Sequence, residues 1–415
     1  MRWLPADAAT LLKNRDYSMF ILARLLGNIG SQMQTVAVGW LVYARTSDPM
    51  DLGLIGLSQF APFVLLILPA GHLADHYNRQ RIILVCFGIQ ILCSAALWWL
   101  MSAAMADIWP IFAVMSLLGV ARAFAEPSRQ AFLPRLVPPE QFGRAAAFSS
   151  AAMQFSTITG PMLGGVMLLG SEHAVFGATL LCFVAALVAF SKVDPLHGVT
   201  AAQNVGARDV SMHDVLLGLR FVWSRPVLLG AISLDMFAVL FGGATALLPV
   251  FVKDVLHAGP TELGLLRGAV AVGAMACALW LSARPIERHV GRWLFGSVCA
   301  FGFATLLFGI STHLWLSVFA LFVLGVTDMM SVFVRQYLVP LVTPDHLRGR
   351  VGAVTSVFVG ASNELGEFES GVTASWWGAV PAVLVGGGMT VAVSVLWMKL
   401  FPDLRKLDKF PERAR

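Results

Sequence analysis

Long apolar runs alternate with short polar connections along the whole chain. A helix that crosses a bilayer needs about 20 mostly apolar residues at a rise of about 1.5 Å each. Runs near 17–44, 53–74, 82–105, 108–125, 145–170, 174–190, 226–252, 262–283, 292–311, 313–334, 351–374 and 379–400 meet that need, which predicts twelve spans. Backbone groups in lipid must bond within their own segment, so the spans are helices rather than strands. One connection differs: 191–225 is polar (Lys192, Asp194, Gln203, Asn204, Arg208, Asp209), and 209–223 reads as a surface helix. This predicts an all-α membrane protein with a six-helix bundle at 1–190, a linker at 191–225, a second six-helix bundle at 226–400 and a tail at 401–415.

Composition agrees with the pattern. The chain has 415 residues, of which 57% are hydrophobic and 13% charged, with a mean hydropathy of +0.75. A soluble protein is about a quarter charged, so too little polar surface exists to cover a water-soluble globule. The net charge of +5 sits in short basic clusters between apolar runs, a membrane protein's distribution and not that of a nucleic-acid binder. Of the 29 Lys and Arg, only Arg45 and Lys253 fall in connections on the opposite side, while Arg24 and Arg267 lie within spans. The positive-inside rule then places both termini in the cytoplasm of a bacterium, the chain being multi-pass in the inner membrane. The first dozen residues lack an apolar core, so no cleavable signal peptide is expected. Cys86, Cys93, Cys182, Cys277 and Cys299 sit singly in apolar runs and read as small core residues, with neither disulfides nor a metal site implied.

The chain repeats itself. Arg129-Gln130, Pro134, Pro138 and Gly143-Arg144 recur as Arg335-Gln336, Pro340, Pro344 and Gly349-Arg350 at one constant offset of 206 residues. Each block links the fourth span of its half to the fifth. Two parallel repeats related by an axis along the membrane normal follow, an arrangement that suits a transporter.

After the second span comes Gly71-His72-Leu73-Ala74-Asp75-His76-Tyr77-Asn78-Arg79-Gln80-Arg81. This stretch resembles the signature loop of the major facilitator superfamily, with Asn78 where that family has glycine and His76 where it has a basic residue. Asn is the next best residue for a left-handed turn. The resemblance implies a gate in which Asp75 pairs with Arg residues (Arg79, Arg81 and Arg122 being at hand) and with a helix N-terminus; the alternative is a solvated basic loop. The fifth span carries Gly160-Pro161-Met162-Leu163-Gly164-Gly165, which resembles the fifth-helix motif associated with export in that superfamily. Gly160 and Gly164, with Ser156, form a small face for close helix contact, and Pro161 is expected to bend the helix where two halves seal. Together with the Arg-Gln linker and Ser362-Asn363-Glu364-Leu365-Gly366-Glu367, the whole chain resembles the branch containing enterobactin exporters and macrolide and multidrug efflux proteins.

Ionisable side chains inside spans cost free energy and usually face a cavity or a partner. Asp235 and Glu364 lie near mid-span and, with Asp328 and Glu367, are candidate proton carriers. Their other reading is structural: Arg267 can pair with Glu367 or Glu369, and Asp328 with Arg335. In the first span Arg24, Asn28, Gln32 and Met33, and in the seventh Met236 and Phe237, are candidate cavity residues, since the first and seventh helices line the cavity in the family resembled; interhelical bonding and core packing are the alternatives. No phosphate-cradling loop, metal cluster or nucleophile elbow is present in the sequence, so neither an enzyme nor a cofactor is expected. The resulting expectation is a monomeric secondary-active exporter of a bulky amphipathic small molecule, a siderophore or a lipophilic drug, moved from a mid-membrane site by proton antiport. A lysophospholipid flippase, or a non-transporting sensor or scaffold that keeps the fold, are the rivals.

Overall fold

The computed structural model describes residues 11, 13–102, 107–194, 212–344 and 347–411; within these the side chains of 68, 71, 72, 74–76, 102, 131, 139, 212–216, 353 and 356 are left aside. The described residues form helices and no strand. In chain order they are α1 Arg15–Thr46, α2 Pro49–His76, α3 Arg79–Ser102, α4 Trp109–Phe132, α5 Phe142–Gly170, α6 Glu172–Ser191, α7 Met212–Ser224, α8 Pro226–Phe241, α9 Pro260–Ala283, α10 Val290–Gly309, α11 Leu314–Val342, α12 Arg348–Trp377, α13 Ala379–Leu400 and the short α14 Pro402–Arg405. Ten of the segments are long and apolar enough to cross a membrane. The other two long helices, α1 and α12, have 32 and 30 residues and carry more charge. Twelve long helices thus stand where the apolar runs place spans, with α7 between the sixth and seventh.

The chain divides into two compact units, Met1–Val38 with Ser58–Asp209, and Gly39–Leu57 with Val210–Arg415. The core of the first is a cluster around Tyr17, Phe20, Phe87, Phe132 and Phe190. In the second, Leu234, Leu294, Phe295, Val334 and Leu338 pack together. The surface helix α7 joins this unit: Val222 is buried with Leu228, Ile232, Val351 and Val354. A Cβ at its Gly218 would stand 2.8 Å from the Arg350 carbonyl.

Three local differences from the sequence pattern have physical causes. The seventh span is not one helix. It stops at Phe241, turns at Gly242–Gly243, and continues through a 3-10 turn at Ala244–Leu247, a turn at Leu248–Val250 and a π-helical turn at Phe251–Val255. Gly243 lies so close to α12 that a Cβ would stand 2.6 Å from the Gly366 carbonyl, and Pro249 has no N–H to give the ladder. Second, α4 and α11 run on past the expected ends to Phe132 and Val342. Arg129 and Arg335, which the expected span ends left in connections, therefore sit inside helices. Third, Asn78 does not form a left-handed turn. It lies outside the positive-φ residues Ser47, His257 and His289, and its side-chain oxygen accepts from the N–H of Gln80 (2.9 Å) and of Arg81 (3.4 Å). It caps α3, so the missing glycine is a change of device rather than a loss.

Candidate functional site

In the first unit α1 and α5 run side by side in the same direction. The Tyr17 hydroxyl donates to the Ala145 carbonyl at 2.9 Å. Higher up, Arg24 Nη1 donates to Ser149 Oγ at 2.7 Å and the other terminal nitrogen reaches the Met153 sulfur at 3.8 Å. Asn28 Nδ2 donates to the Met153 carbonyl at 3.4 Å, and Ser156 Oγ to the Leu25 carbonyl at 3.3 Å. At the far end the small residues take over. A Cβ at Gly160 would meet Gln32 Cβ at 2.5 Å and the Ile29 carbonyl at 3.2 Å, and one at Gly164 would meet Met33 Cα at 3.0 Å. Gly160, Pro161, Gly164 and Gly165 are all buried in an α5 that continues through Pro161. Gly160 and Gly164 thus meet α1 of their own bundle. Arg24, Asn28, Gln32 and Met33 all belong to this seam.

Beside it, α4 carries Arg122, Glu126 and Arg129 at i, i+4 and i+7, one helix face. Arg129 Nη1 lies 3.5 Å from Glu126 Oε1, Arg129 stands 5.0 Å over the Phe87 ring, and Arg122 stands 5.2 Å over Phe63. Arg24 is within electrostatic reach of both Glu126 and Arg129. Glu126 is a residue the sequence pattern missed, because the fourth span was ended one residue short of it; a charged i, i+4, i+7 triplet was the available signal.

The second unit holds the tightest ion pair. Arg335 Nη1 on α11 lies 2.5 Å from Asp235 Oδ2 on α8, with Arg335 7% and Asp235 4% exposed. Asp328, which the sequence offered as the partner of Arg335, shares its field instead. A small, half-open cleft of about 10 Å³ lies here. Asp235, Ala238 and Val239 line it from α8, Thr327, Asp328 and Ser331 from α11, and Val298 and Phe301 from α10. A single water or ion needs about 10–15 Å³ of such space, so this cleft suits one of these rather than a bulky solute. Phe237 turns away from it, its ring 5.2 Å from that of Trp397; Met236 is half-buried next to Asp235.

Further along, Arg267 on α9 interacts with Glu367 on α12, the partner choice that the sequence left open. A Cβ at Gly56 would stand 3.0 Å from Glu367 Oε2 and 3.7 Å from Glu364 Oε2, so the start of α2 passes directly over both acids. Of the signature stretch, Gly71 and Asp75 are in the last two turns of α2 and Arg79 and Arg81 open α3; the Asp75 carboxylate lies outside the described side chains. Among the described residues no group of three His, Cys, Asp or Glu gathers as a metal site.

The comparisons agree on what carries such an architecture. Residues 7–414 match the transmembrane secretion effector family. The chain is 26% identical to the multidrug efflux pump Tap of Mycolicibacterium fortuitum, over 96% of this chain and 98% of that one. It is 25% identical to the enterobactin exporter EntS of Citrobacter koseri, over 97% and 96%. Among solved structures, a bacterial homolog of the human lysosomal transporter Spinster superposes with a TM-score of 0.74 at 14% identity, over 94% of this chain and 96% of that one. The chain is a multi-pass membrane transporter with two pseudo-symmetric bundles, not an enzyme, and it belongs to the transmembrane secretion effector family of the major facilitator superfamily.

Proposed function

We propose that the protein is a secondary-active exporter, moving a bulky amphipathic small molecule out of the cytoplasm by alternating access in exchange for protons. The Lys and Arg distribution supports cytoplasmic termini for this exporter. The observation that carries the coupling role is the Asp235–Arg335 pair with Asp328 beside it. A carboxylate in an apolar bundle, with a cation to hold it when ionised, can exchange a proton between two conformations. The export direction and the substrate class are supported by the efflux pump and the siderophore exporter that resemble the chain over nearly its whole length.

The test is efflux of ethidium from cells stripped of their own pumps, with and without a protonophore. Efflux that collapses with the protonophore in wild type, and is lost per folded molecule in Asp235→Asn, is the expected result. Ethidium efflux that survives the protonophore would refute proton coupling. If well-expressed protein moves no ethidium, siderophore export is measured in the same cells, and failure there too would refute the substrate class.

A further inference from the structure

The cleft at Asp235 contains more than a proton requires. Thr327, Ser331 and Arg335 follow each other at i+4, and Asp328 precedes Ser331 by three, so α11 presents the four on one side. Thr327 Oγ1 donates into its own helix, to the Val323 and Leu324 carbonyls at 2.9 and 3.0 Å. Its proton is used and its lone pairs are available to a ligand. Ser331 is 3% exposed, yet its hydroxyl has no hydrogen-bond partner, and it lines the cleft. A buried hydroxyl left unmatched in a bundle core needs a reason.

Charge supplies the second constraint. Arg335 compensates one carboxylate and the cleft holds two, so with both ionised it carries one net negative charge. The walls from α10, Val298 and Phe301, are apolar, and α8 adds Ala238 and Val239 but no further polar group. A single positive charge would neutralise the site; a divalent ion would leave it positive beside a guanidinium. The donors are hard oxygens, two carboxylates and two hydroxyls, which suit small hard cations and not thiophilic metals.

We infer that Asp235, Asp328, Ser331 and Thr327 form a binding site for one sodium ion inside the C-terminal bundle. The site deepens the coupling role proposed above and rests on it for its purpose, but its existence is testable without transport. A proton needs one carboxylate alone and would leave the Ser331 hydroxyl unexplained; sodium accounts for both hydroxyls and for the charge.

Thermal unfolding of the purified full-length protein decides the matter, in sodium chloride against choline chloride at equal ionic strength. Sodium is expected to raise the midpoint saturably, by about 3 °C at tenfold excess over its dissociation constant. That shift should vanish in Asp328→Asn and in Ser331→Ala while Glu369→Gln, a carboxyl elsewhere on α12, retains it. The serine variant removes a single atom and guards against a variant that merely folds badly. Identical wild-type midpoints in the two salts, or a sodium shift that persists in both variants, would overturn the inference. Protonophore-sensitive ethidium efflux together with identical midpoints in the two salts would leave the exporter reading standing and the sodium site refuted.

Discussion

A buried carboxylate and guanidinium stabilise a fold little compared with apolar residues of the same size, yet separating them is costly. Losing one partner of such a pair costs about 3–5 kcal/mol, because the other is left uncompensated in a low-dielectric interior. Asp235 and Arg335 meet the conditions for this asymmetry: both are buried, and they are 2.5 Å apart. Arg335→Met alone should therefore reduce the yield of monodisperse protein sharply, as should Asp235→Leu alone. The double variant, which replaces both charges with apolar groups, is expected to recover most of the folded yield and none of the proton-driven flux. Fluorescence-detected size exclusion beside an efflux assay separates the two effects. A double variant as poorly folded as either single one would show that the pair is not an isolated unit.

At the scale of the element, the repeat seen in the sequence at an offset of 206 residues becomes a repeat of packing. Gly119 on α4 lies against the Gln59 carbonyl of α2, and Gly325 on α11, 206 residues on, lies against the Val270 carbonyl of α9. Gly160 on α5 meets α1, and Gly366 on α12 meets the Val239 and Leu240 carbonyls of α8 at 2.8 and 3.0 Å from a notional Cβ. Each pair is one helix crossing made twice. Adding a methyl at such a crossing forces helices apart, at about 1–3 kcal/mol. Gly119→Ala and Gly325→Ala should both lower the unfolding temperature, whereas Gly88→Ala and Gly296→Ala, where a Cβ meets nothing within 4 Å, should not. Spans, surface helix, repeat and small-residue face were legible because each depends on local pattern, apolar runs and spacing along one helix. What was not legible depends on reach between helices. The length of α11 hid that Arg335 sits inside the helix, since the span was ended at 334 while the helix runs on through Leu338, Val339 and Pro340 to Val342. Its partner lies 100 residues earlier, and nothing in the spacing chooses Asp235 over Asp328. Likewise the face on which Gly160 packs could be read, but not the helix it meets.

At the scale of the whole molecule, the segment Gly39–Leu57 is part of the first half by sequence but clusters with the second unit. Its attachments are specific. The Tyr43 hydroxyl donates a short hydrogen bond to Asp254 Oδ2. Lys253 Nζ donates to the Ala44 carbonyl at 3.3 Å and to Ser47 Oγ at 3.1 Å, and stands 5.2 Å over the Tyr43 ring. Gly53 then packs on Phe368 and Gly371, so close that a Cβ would stand 3.0 Å from the Phe368 carbonyl. The π-helical turn at Phe251–Val255 presents Lys253 and Asp254 together, and such turns are frequent at functional positions. Under the alternating access proposed above, each end of the transporter opens in turn, so a segment that joins one half by chain and the other by contact has to let go during the cycle. The bonds to Lys253 are solvent-exposed, as a reversible clasp requires. Fixing the clasp should stop the cycle without unfolding anything. In a background with its five native cysteines replaced by alanine, Tyr43→Cys with Asp254→Cys is expected to lose ethidium efflux when oxidised and regain it on reduction, at unchanged abundance. Weakening the clasp with Tyr43→Phe should leave the protein folded and alter turnover instead. Full efflux from the oxidised, cross-linked protein would mean that this segment and the C-terminal bundle travel together throughout the cycle, and that the release step lies elsewhere.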